Sequence, residues 1–596
     1  MWTRKTPDNP VPEESPARDA SNTGGGCEQV PNTHHSLTWW IAVSTIAFLY
    51  SFAIGLYMLV VTLTSIINED IGPHESYVWL APSWSVSAGV MTVVTGALSD
   101  VLGRRWFCIG TGLFGILGCI LGAVAQNVPT VVAALVLLGT GKAGAVASLA
   151  AAAELVSRRQ RSYILAMMNA PVILWLVGGA YFGRKLALDT GPGWRSVFWL
   201  GLACNCTGTI LIYLTYFPNT ALAISKKAMV YERWQDFDWL GLFGLLSGPT
   251  LFLVGILNIT KYGADNPRFI GPFLSGILVM VALWIWEGFF SRMPLLHPFL
   301  FRKVRTFTLI LVVGFVGGML FYALQAFFHV YVQELFTSDP IEVAINLIPM
   351  NAAINIGSVI GALILPWLAP RVGTNSILAF AVGLQLLFIP LLCLANADRH
   401  AMALTFSALG GIGVGVVEIN TVILVQLASP DEWIGFATGS VGLMRSIGGS
   451  VGTAVYTTIH STNSARLVPQ YVTDAVKPRG LPQDAITQLL AILEGTTTGN
   501  PLSDIPGVTS EILELATDAM KRAYNRAFRD VWLTSIAFGV IALMCALFSK
   551  DLSPQMTSHV AQHLRNEQPT PKTDSEKGDS QAEGKSTHIE ESSPQR

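Results

Sequence analysis

Charged side chains are scarce in this sequence. Asp, Glu, Lys and Arg together form 13% of its 596 residues, whereas hydrophobic residues form 51% and the mean hydropathy is +0.49. Soluble domains carry about twice that share of charged residues, which excludes a soluble multidomain protein. The net charge is −2 and the basic residues are dispersed, so the chain has no nucleic-acid-binding patch. The composition therefore indicates an integral membrane protein that contacts a lipid bilayer and binds no nucleic acid.

Catalytic and metal-binding motifs are also lacking. The seven cysteines form no CxxC pair, and all but Cys27 fall inside apolar runs, which is typical of packing cysteines. No HExxH, Walker loop or paired Cys/His set occurs. Two glycine-rich matches, Gly139–Gly144 (GTGKAG) and Gly448–Gly452 (GGSVG), lie in apolar segments without the preceding strand that a nucleotide or nucleophile site requires. The sequence therefore predicts neither an enzyme nor an ATP-driven pump, and no cofactor or metal.

Long apolar windows, in contrast, are abundant. A bilayer core of about 30 Å is crossed by about 20 apolar residues in a helix, and fourteen windows of that kind are separated by polar breaks. The predicted fold class is thus an all-α membrane protein with 14 transmembrane helices. The windows begin near Leu37, Tyr77, Trp106, Pro129, Tyr163, Val197, Trp239, Phe269, Phe307, Ile341, Ser376, Ala401, Ile434 and Val531.

The loop charges predict the orientation. Because Lys and Arg concentrate in alternate short loops, the N-terminus is predicted to be cytosolic. The polar segments 1–36 and 551–596 are then disordered cytosolic tails. The long polar loop 461–529 faces outside, and within it Ser510–Asp530 carries acidic residues early and basic residues late, as a helix dipole favours. This order predicts a helical extracellular cap that leads into the last span. The basic loops include Arg104 and Arg105, Arg158 to Arg161, and Arg302 to Arg305.

One short motif carries a family resemblance. The stretch GALSDVLGRR, residues 96–105, follows the second window and resembles the loop signature G-x-L-[SA]-D-x-x-G-R-R of the major facilitator superfamily. Its matching residues are Gly96, Leu98, Ser99, Asp100, Gly103, Arg104 and Arg105. The resemblance implies a cytosolic gate whose charge pairs hold one state of a transport cycle and break in the other. A partial echo without the acid, GALILPWLAPRVG, occupies residues 361–373.

Three further stretches resemble the fungal trichothecene efflux pump family, a fourteen-span relative of the drug:proton antiporters and siderophore transporters. They are Ile66–Leu80, Gly317–Pro340 and Arg445–Val455. The resemblance implies two six-helix bundles, residues 37–217 and 307–550, around a central cavity that opens alternately to each side. The linker 218–306 would supply the two extra central spans.

The resemblance also implies a function. It predicts a proton-coupled secondary transporter that exports amphipathic small molecules, such as toxins or drugs, across the plasma membrane, or alternatively across a vacuolar or vesicle membrane. A siderophore-iron importer of the same fold and a non-transporting membrane sensor are the two alternatives. Two departures bear on proton coupling: the proline and glycine signature of the fifth span is spaced differently in residues 169–179, and Lys142 lies near the place of a common fourth-span arginine.

Three ionisable residues are predicted to lie deep in the membrane. Lys142, Glu418 and Arg445 fall in the fourth, twelfth and thirteenth windows. A charge at mid-bilayer costs about 2.5 to 3.5 kcal/mol on insertion scales, so such residues usually face a cavity or a partner. We expect Lys142 and Glu418 to contact the substrate or protons. A buried ion pair that only locks helices is the alternative, and more so for Arg445.

Polar and aromatic residues of the first and ninth windows are candidates for the cavity lining. They could offer a bulky organic ligand a surface of mixed polarity, although plain helix packing explains them as well. The candidates are Tyr50, Tyr57, Tyr322, Gln325 and His329. Charges near helix ends are interpreted as gate or interface groups (Glu154, Asp238 and Glu287) or as part of the outer mouth (Glu69 and Asp70).

Overall fold

The computed structural model describes residues 36–218, 238–291, 294–337, 339–397, 399–493 and 508–561. Within these ranges the regular structure is helical, apart from isolated bridge residues, which include an antiparallel bridge between Ser157 and Val560. The predicted N-terminal tail up to residue 35 and the predicted C-terminal tail from residue 562 lie outside the described residues, as does the linker segment 219–237.

Fourteen long helical stretches, numbered α1 to α14, follow one another in the described part of the chain. Thirteen predicted windows begin within three residues of a helix start, whereas the last begins inside α14. The bounds are α1 Leu37–Val61, α2 Leu80–Leu102, α3 Arg104–Ala123, α4 Val128–Glu154, α5 Arg161–Asn169 with Val172–Asp189, α6 Arg195–Thr215, α7 Trp239–Tyr262, α8 Pro267–Phe289, α9 Leu309–Leu335, α10 Pro340–Val372, α11 Thr374–Leu391, α12 His400–Ala428, α13 Ile434–Val476 and α14 Ser510–Phe548. Shorter helices and helical turns connect them, among them Thr64–Ile71, Glu75–Trp79, Pro298–Arg302, Val304–Thr308, Asp431–Trp433 and Gln483–Leu493.

Polar side chains fix several helix starts. Asn127 accepts a hydrogen bond from the amide of Thr130 at 2.9 Å, and Asp339 accepts one from the amide of Ile341 at 3.1 Å. Such caps satisfy amide groups that have no partner inside the helix. A polar residue directly before an apolar run therefore sets where α4 and α10 begin.

Twelve of the long helices are long and apolar enough to cross a membrane by length and composition. The chain is therefore a multi-pass membrane protein. The helices outside this set are α2, which is rich in serine and threonine, and α13, whose second part is polar. In α2 the hydroxyls of Ser83 and Thr92 donate to backbone carbonyls of their own helix, which satisfies them away from water. The predicted count of fourteen spans remains a prediction.

The same helix pairings occur twice along the chain. In the first half α1 packs on α5 and α6, while α4 packs on α2 and α3. In the second half α9 packs on α13 and α14, while α12 packs on α10 and α11. The halves meet where α2 lies along α13 and α5 lies along α10. The extra helices α7 and α8 pack on each other, and α7 also contacts α2 and α13 at that junction. The division of the chain into two six-helix bundles with the predicted bounds stays a prediction.

The predicted cap is helical in its described part and has a hydrophobic core of its own. Apolar residues from the end of α13, the helix Gln483–Leu493 and the beginning of α14 form a cluster apart from the main core. Fully buried members include Val472, Val476, Leu489 and Ala516. The cap is thus a packed unit, and its position outside the cell remains a prediction.

Residues 551–561 differ from the expectation of a disordered tail that starts at residue 551. They are described, they include the helical turn Ser553–Gln555, and Leu552 is 1% exposed. The Asp551 carboxylate accepts hydrogen bonds from the amide and the hydroxyl of Thr374, at 2.8 and 3.0 Å. Hydrogen bonds to a helix start, which sequence composition does not reveal, hold this segment in place.

Candidate functional site

The motif that starts at Gly96 forms a turn at one end of the helices. We call this end, where Gly103, Glu154 and Asp431 lie, the basal end; it is the end predicted to face the cytosol. Gly103 joins α2 to α3 with φ of 97°, a left-handed conformation that side chains with a Cβ rarely adopt. A Cβ added there would have no atom within 4 Å, so backbone conformation alone requires the glycine.

Asp100 connects the two halves at the basal end. Its carboxylate accepts hydrogen bonds from the backbone amides of Gly435 at 3.0 Å and Phe436 at 2.7 Å, in the first turn of α13. A negative charge is stabilised at this position by the free amides and by the helix dipole. Gly96 lies so close to the Gly435 carbonyl that a Cβ on Gly96 would collide with it. The motif therefore holds the start of a helix in the opposite half.

Arg104 completes this contact. Its buried guanidinium donates to Asp100 Oδ1 at 2.7 Å, to Ser99 Oγ at 3.1 Å and to Glu154 Oε1 at the end of α4. Burial makes such a charged set costly unless every member is paired, and here both carboxylates face the same guanidinium. We call Asp100, Arg104, Glu154 and the two α13 amides the latch. Glu154, interpreted as a gate or interface charge, thus lies in it.

Arg105 lies outside the latch. It donates to the carbonyl oxygen of Tyr213 at 2.7 Å, near the end of α6, and its guanidinium stands 3.9 Å from the centre of the Phe217 ring. Both contacts are within the first half. The two adjacent arginines of the motif therefore differ in role: Arg104 reaches the junction between the halves and Arg105 packs on its own bundle.

A second ionic cluster joins the halves nearby. Asp431, in the connection before α13, is 2.8 Å from Arg161, the first residue of α5, and 3.1 Å from Arg158, in the connection from α4 to α5. Burial of Asp431 opposes ionisation, but hydrogen bonds from and proximity to Arg161 and Arg158 outweigh it and lower the pKa of the carboxyl. From the sequence these arginines predicted only the orientation of the chain in the membrane. A basic loop opposite an acidic helix start was the available clue.

Glu418 and Arg445 form an ion pair inside the second half. Arg445 donates to Glu418 Oε1 at 2.7 Å and to the carbonyl oxygen of Glu418 at 2.8 Å. The Glu418 side chain is 32% exposed and the Arg445 side chain is 18% exposed, so the pair is only partly buried. A small cavity lined by Gly314, Gly317 and Phe321 adjoins it. The structure thus brings together two of the three predicted intramembrane charges.

Lys142 lies on an aromatic stack in the first half. Its ammonium group is 4.2 Å from the centre of the Trp84 ring. The Tyr57 ring stacks on the Trp84 ring, with the two ring centres 3.8 Å apart. A cation over an aromatic face is attracted electrostatically, most of all away from water. Among the described carboxylates, none forms an ion pair with Lys142. Lys142 and Tyr57 were predicted from the sequence as site residues, whereas Trp84 was not.

The remaining lining candidates occupy different environments. Gln325 donates to Asn351 at 2.8 Å, joining α9 to α10, and Tyr50 donates to Asn169 at 3.4 Å. Tyr322 lies against α13, where a Cβ on Gly449 would collide with its ring. His329 is exposed.

Two further polar contacts involve residues outside the predicted lining. Asn355 of α10 donates to the carbonyl oxygen of Asn169 at 3.0 Å and so joins the halves. At the far end Asp70 accepts hydrogen bonds from Trp194 and Arg195, which lower the pKa of its carboxyl. In the described part of the chain no cluster of three His, Cys, Asp or Glu side chains could hold a metal ion.

Similar proteins agree with this architecture. The sequence model of the fungal trichothecene efflux pump family (TRI12) matches residues 18–593. The trichothecene efflux pump TRI12 of Fusarium sporotrichioides is 28% identical over 84% of this chain and 83% of its own length. A pump of the same name from Trichoderma arundinaceum is 27% identical, over 84% of each chain.

More distant matches are also transporters. The MFS-type transporter prx5 of Penicillium rubens is 23% identical over 87% of this chain and 92% of its own. The crystal structure of the human organic anion transporter MFSD10 (TETRAN) aligns with 84% of this chain and 99% of that one, with 14% identity and a TM-score of 0.49. Because the family match covers nearly the whole sequence, this chain belongs to the fungal trichothecene efflux pump family of major facilitator transporters.

Proposed function

We propose that this transporter exports amphipathic small molecules in exchange for protons, by alternating access, with the plasma membrane as its site. The names of two relatives specify a trichothecene as cargo, and this supports a trichothecene or a similar amphipathic small molecule as the substrate here. The transporter family makes an enzyme or a sensor the weaker reading.

The observation that carries the proposal is the contact of Asp100 with α13. This contact joins the halves through hydrogen bonds from two backbone amides to a carboxylate. When the halves separate, water can replace the lost partner of each group. The nearby pairing of Asp431 with Arg161 has the same property. Polar contacts of this kind support a junction that closes and opens, because both of its faces can be hydrated after separation.

The central charges support coupling to protons. Protonation of Glu418 would remove its ion pair with Arg445 and leave that cation, still bonded to the carbonyl oxygen of Glu418, without a counter-charge beside the cavity. On the other side, Lys142 on Trp84 and the stacked Tyr57 offer an aromatic surface to a ligand. Binding of a proton at Glu418 and of cargo at the aromatic surface would then favour different states of the cycle.

The test uses a strain that lacks this transporter and is exposed to a trichothecene. Expression of the chain should lower the intracellular toxin and restore growth, and a more acidic medium should speed export. Replacing Glu418 by Gln should remove that acceleration, while the matched change Glu511→Gln, in the exposed cap, should keep it. Growth only on a ferric siderophore would instead show import. Equal dependence on pH in Glu418→Gln would remove Glu418 from the proton pathway. A fluorescent fusion seen on internal membranes would contradict the plasma-membrane location.

A further inference from the structure

The segment that follows α14 lies across the junction between the halves. We call residues 551–561 the strap. Its beginning is fixed to the second half, since Asp551 accepts hydrogen bonds from Thr374 and the Leu552 amide donates to the Thr374 hydroxyl at 2.9 Å. Leu552 is buried, which adds an apolar anchor. The strap therefore starts as part of the bundle to which α14 belongs.

The end of the strap is attached to the first half. The amide of Arg158 donates to the carbonyl oxygen of His559 at 3.1 Å, and the amide of Arg159 donates to that of Thr557 at 3.2 Å. These bonds accompany the antiparallel bridge between Ser157 and Val560. Backbone pairing of this kind requires the two segments to lie side by side. Within eleven residues, the strap thus contacts both halves.

The strap also reaches the ionic cluster at the junction. His559 Nε2 is 3.3 Å from Asp431 Oδ2, on the carboxylate that already binds Arg158 and Arg161. His559 is 64% exposed, so this contact adds little by itself. Its position nevertheless shows that the strap follows the line along which the halves meet.

We infer that the strap is a built-in tether that favours the closed basal end and has to leave the α4–α5 connection when that end opens. This inference rests on the proposed alternating access. Only three residues connect the anchor at Asp551–Ser553 to the paired residues 557–560. A fully extended chain spans about 3.5 Å per residue at most, so this connection is short. The strap accordingly follows only a small separation before the bridge to Ser157 breaks. Its hydrogen bonds contribute to the closed state alone.

The test keeps the full chain and replaces residues 557–561 by a Gly/Ser sequence of equal length. The reporter is Ser162→Cys, because Ser162 is 1% exposed beside Arg161 at the closed basal end. In detergent, N-ethylmaleimide should modify this cysteine about tenfold faster in the replaced chain, because glycine gains more conformational freedom on detachment than the native residues and so weakens the backbone pairing. The control replaces residues 562–566 in the same way and should label at the original rate. The same chains without Ser162→Cys give the background of the native cysteines.

A milder variant and a latch variant make the outcome decisive. His559→Ala should raise the labelling rate by less than threefold, since it removes only one exposed side-chain contact and adds no glycine to the strap. Asp100→Ala should raise it in every background if the basal end opens at all. Equal rates in the replaced chain and its control, with Asp100→Ala still effective, would overturn the strap and leave alternating access intact. No effect of either change would overturn both.

Discussion

The two halves use the same turn with different chemistry. Gly103 in the first half and Gly373 in the second have φ of 97° and 83°, and each directly precedes a helix. In the first half the acid lies inside the motif, and Asp100 reaches α13 in the other half. In the second half the loop has no acid, and Asp551 from beyond α14 takes a similar place beside Thr374. The backbone geometry repeats, whereas the contact between halves is present in one copy only.

Removing the acid from each turn should have the largest effect and the clearest asymmetry. Asp100→Ala deprives the buried Arg104 of one partner and two α13 amides of their acceptor, and loss of one partner in a buried pair costs about 3 to 5 kcal/mol. We expect export to fall more than tenfold. Asp551→Ala breaks contacts within one half and should change export less than threefold. Transport of a trichothecene from loaded cells measures both, and equal losses would contradict the asymmetry.

Replacing each turn glycine by alanine should separate backbone strain from crowding. A positive φ costs an alanine about 1 to 2 kcal/mol at either site. At Gly373 the new Cβ would also lie 2.7 Å from Asn375 Oδ1, whereas at Gly103 it meets nothing within 4 Å. Gly373→Ala should therefore lower the midpoint of thermal unfolding in detergent by more degrees than Gly103→Ala. Equal shifts would show that the Asn375 side chain moves aside freely, and the reverse order would contradict the role given to crowding.

The smallest effect should be the pH dependence of the second turn. Burial disfavours the charged form of Asp551, but hydrogen bonds from Ser553 and Thr374 outweigh it and lower the pKa of the carboxyl. A lowered pKa in the folded state contributes stability above the ordinary value of about 4, and this contribution is lost as the pH falls below it. The stability difference between the native chain and Asp551→Asn should shrink from pH 6 to pH 3. A constant difference in thermal midpoint over that range would refute this assignment.

The sequence was most informative where a short pattern determines a local structure. Apolar windows located the helices, and the motif located Gly103 and Arg104, because helix length and positive φ depend on few residues. Partners distant along the chain had no such signal. The sequence offered a buried ion pair as one interpretation of the intramembrane charges. It did not identify Glu418 as the partner of Arg445 or α13 as the helix that Asp100 caps, since both contacts depend on how whole helices pack. Trp84 was not predicted because a single aromatic residue in an apolar helix is typical of ordinary helix packing.

The length of α13 has a mechanical consequence. This helix has 43 residues, which corresponds to about 65 Å at 1.5 Å per residue. Its first turn binds Asp100, and its last turns contribute Val472 and Val476 to the cap core. If the junction opens as proposed, we expect a tilt of α13 at the latch to move the cap at the other end of this helix, with Pro469 as the position at which the helix can bend. A probe attached to the cap would report the state of a junction that it never touches.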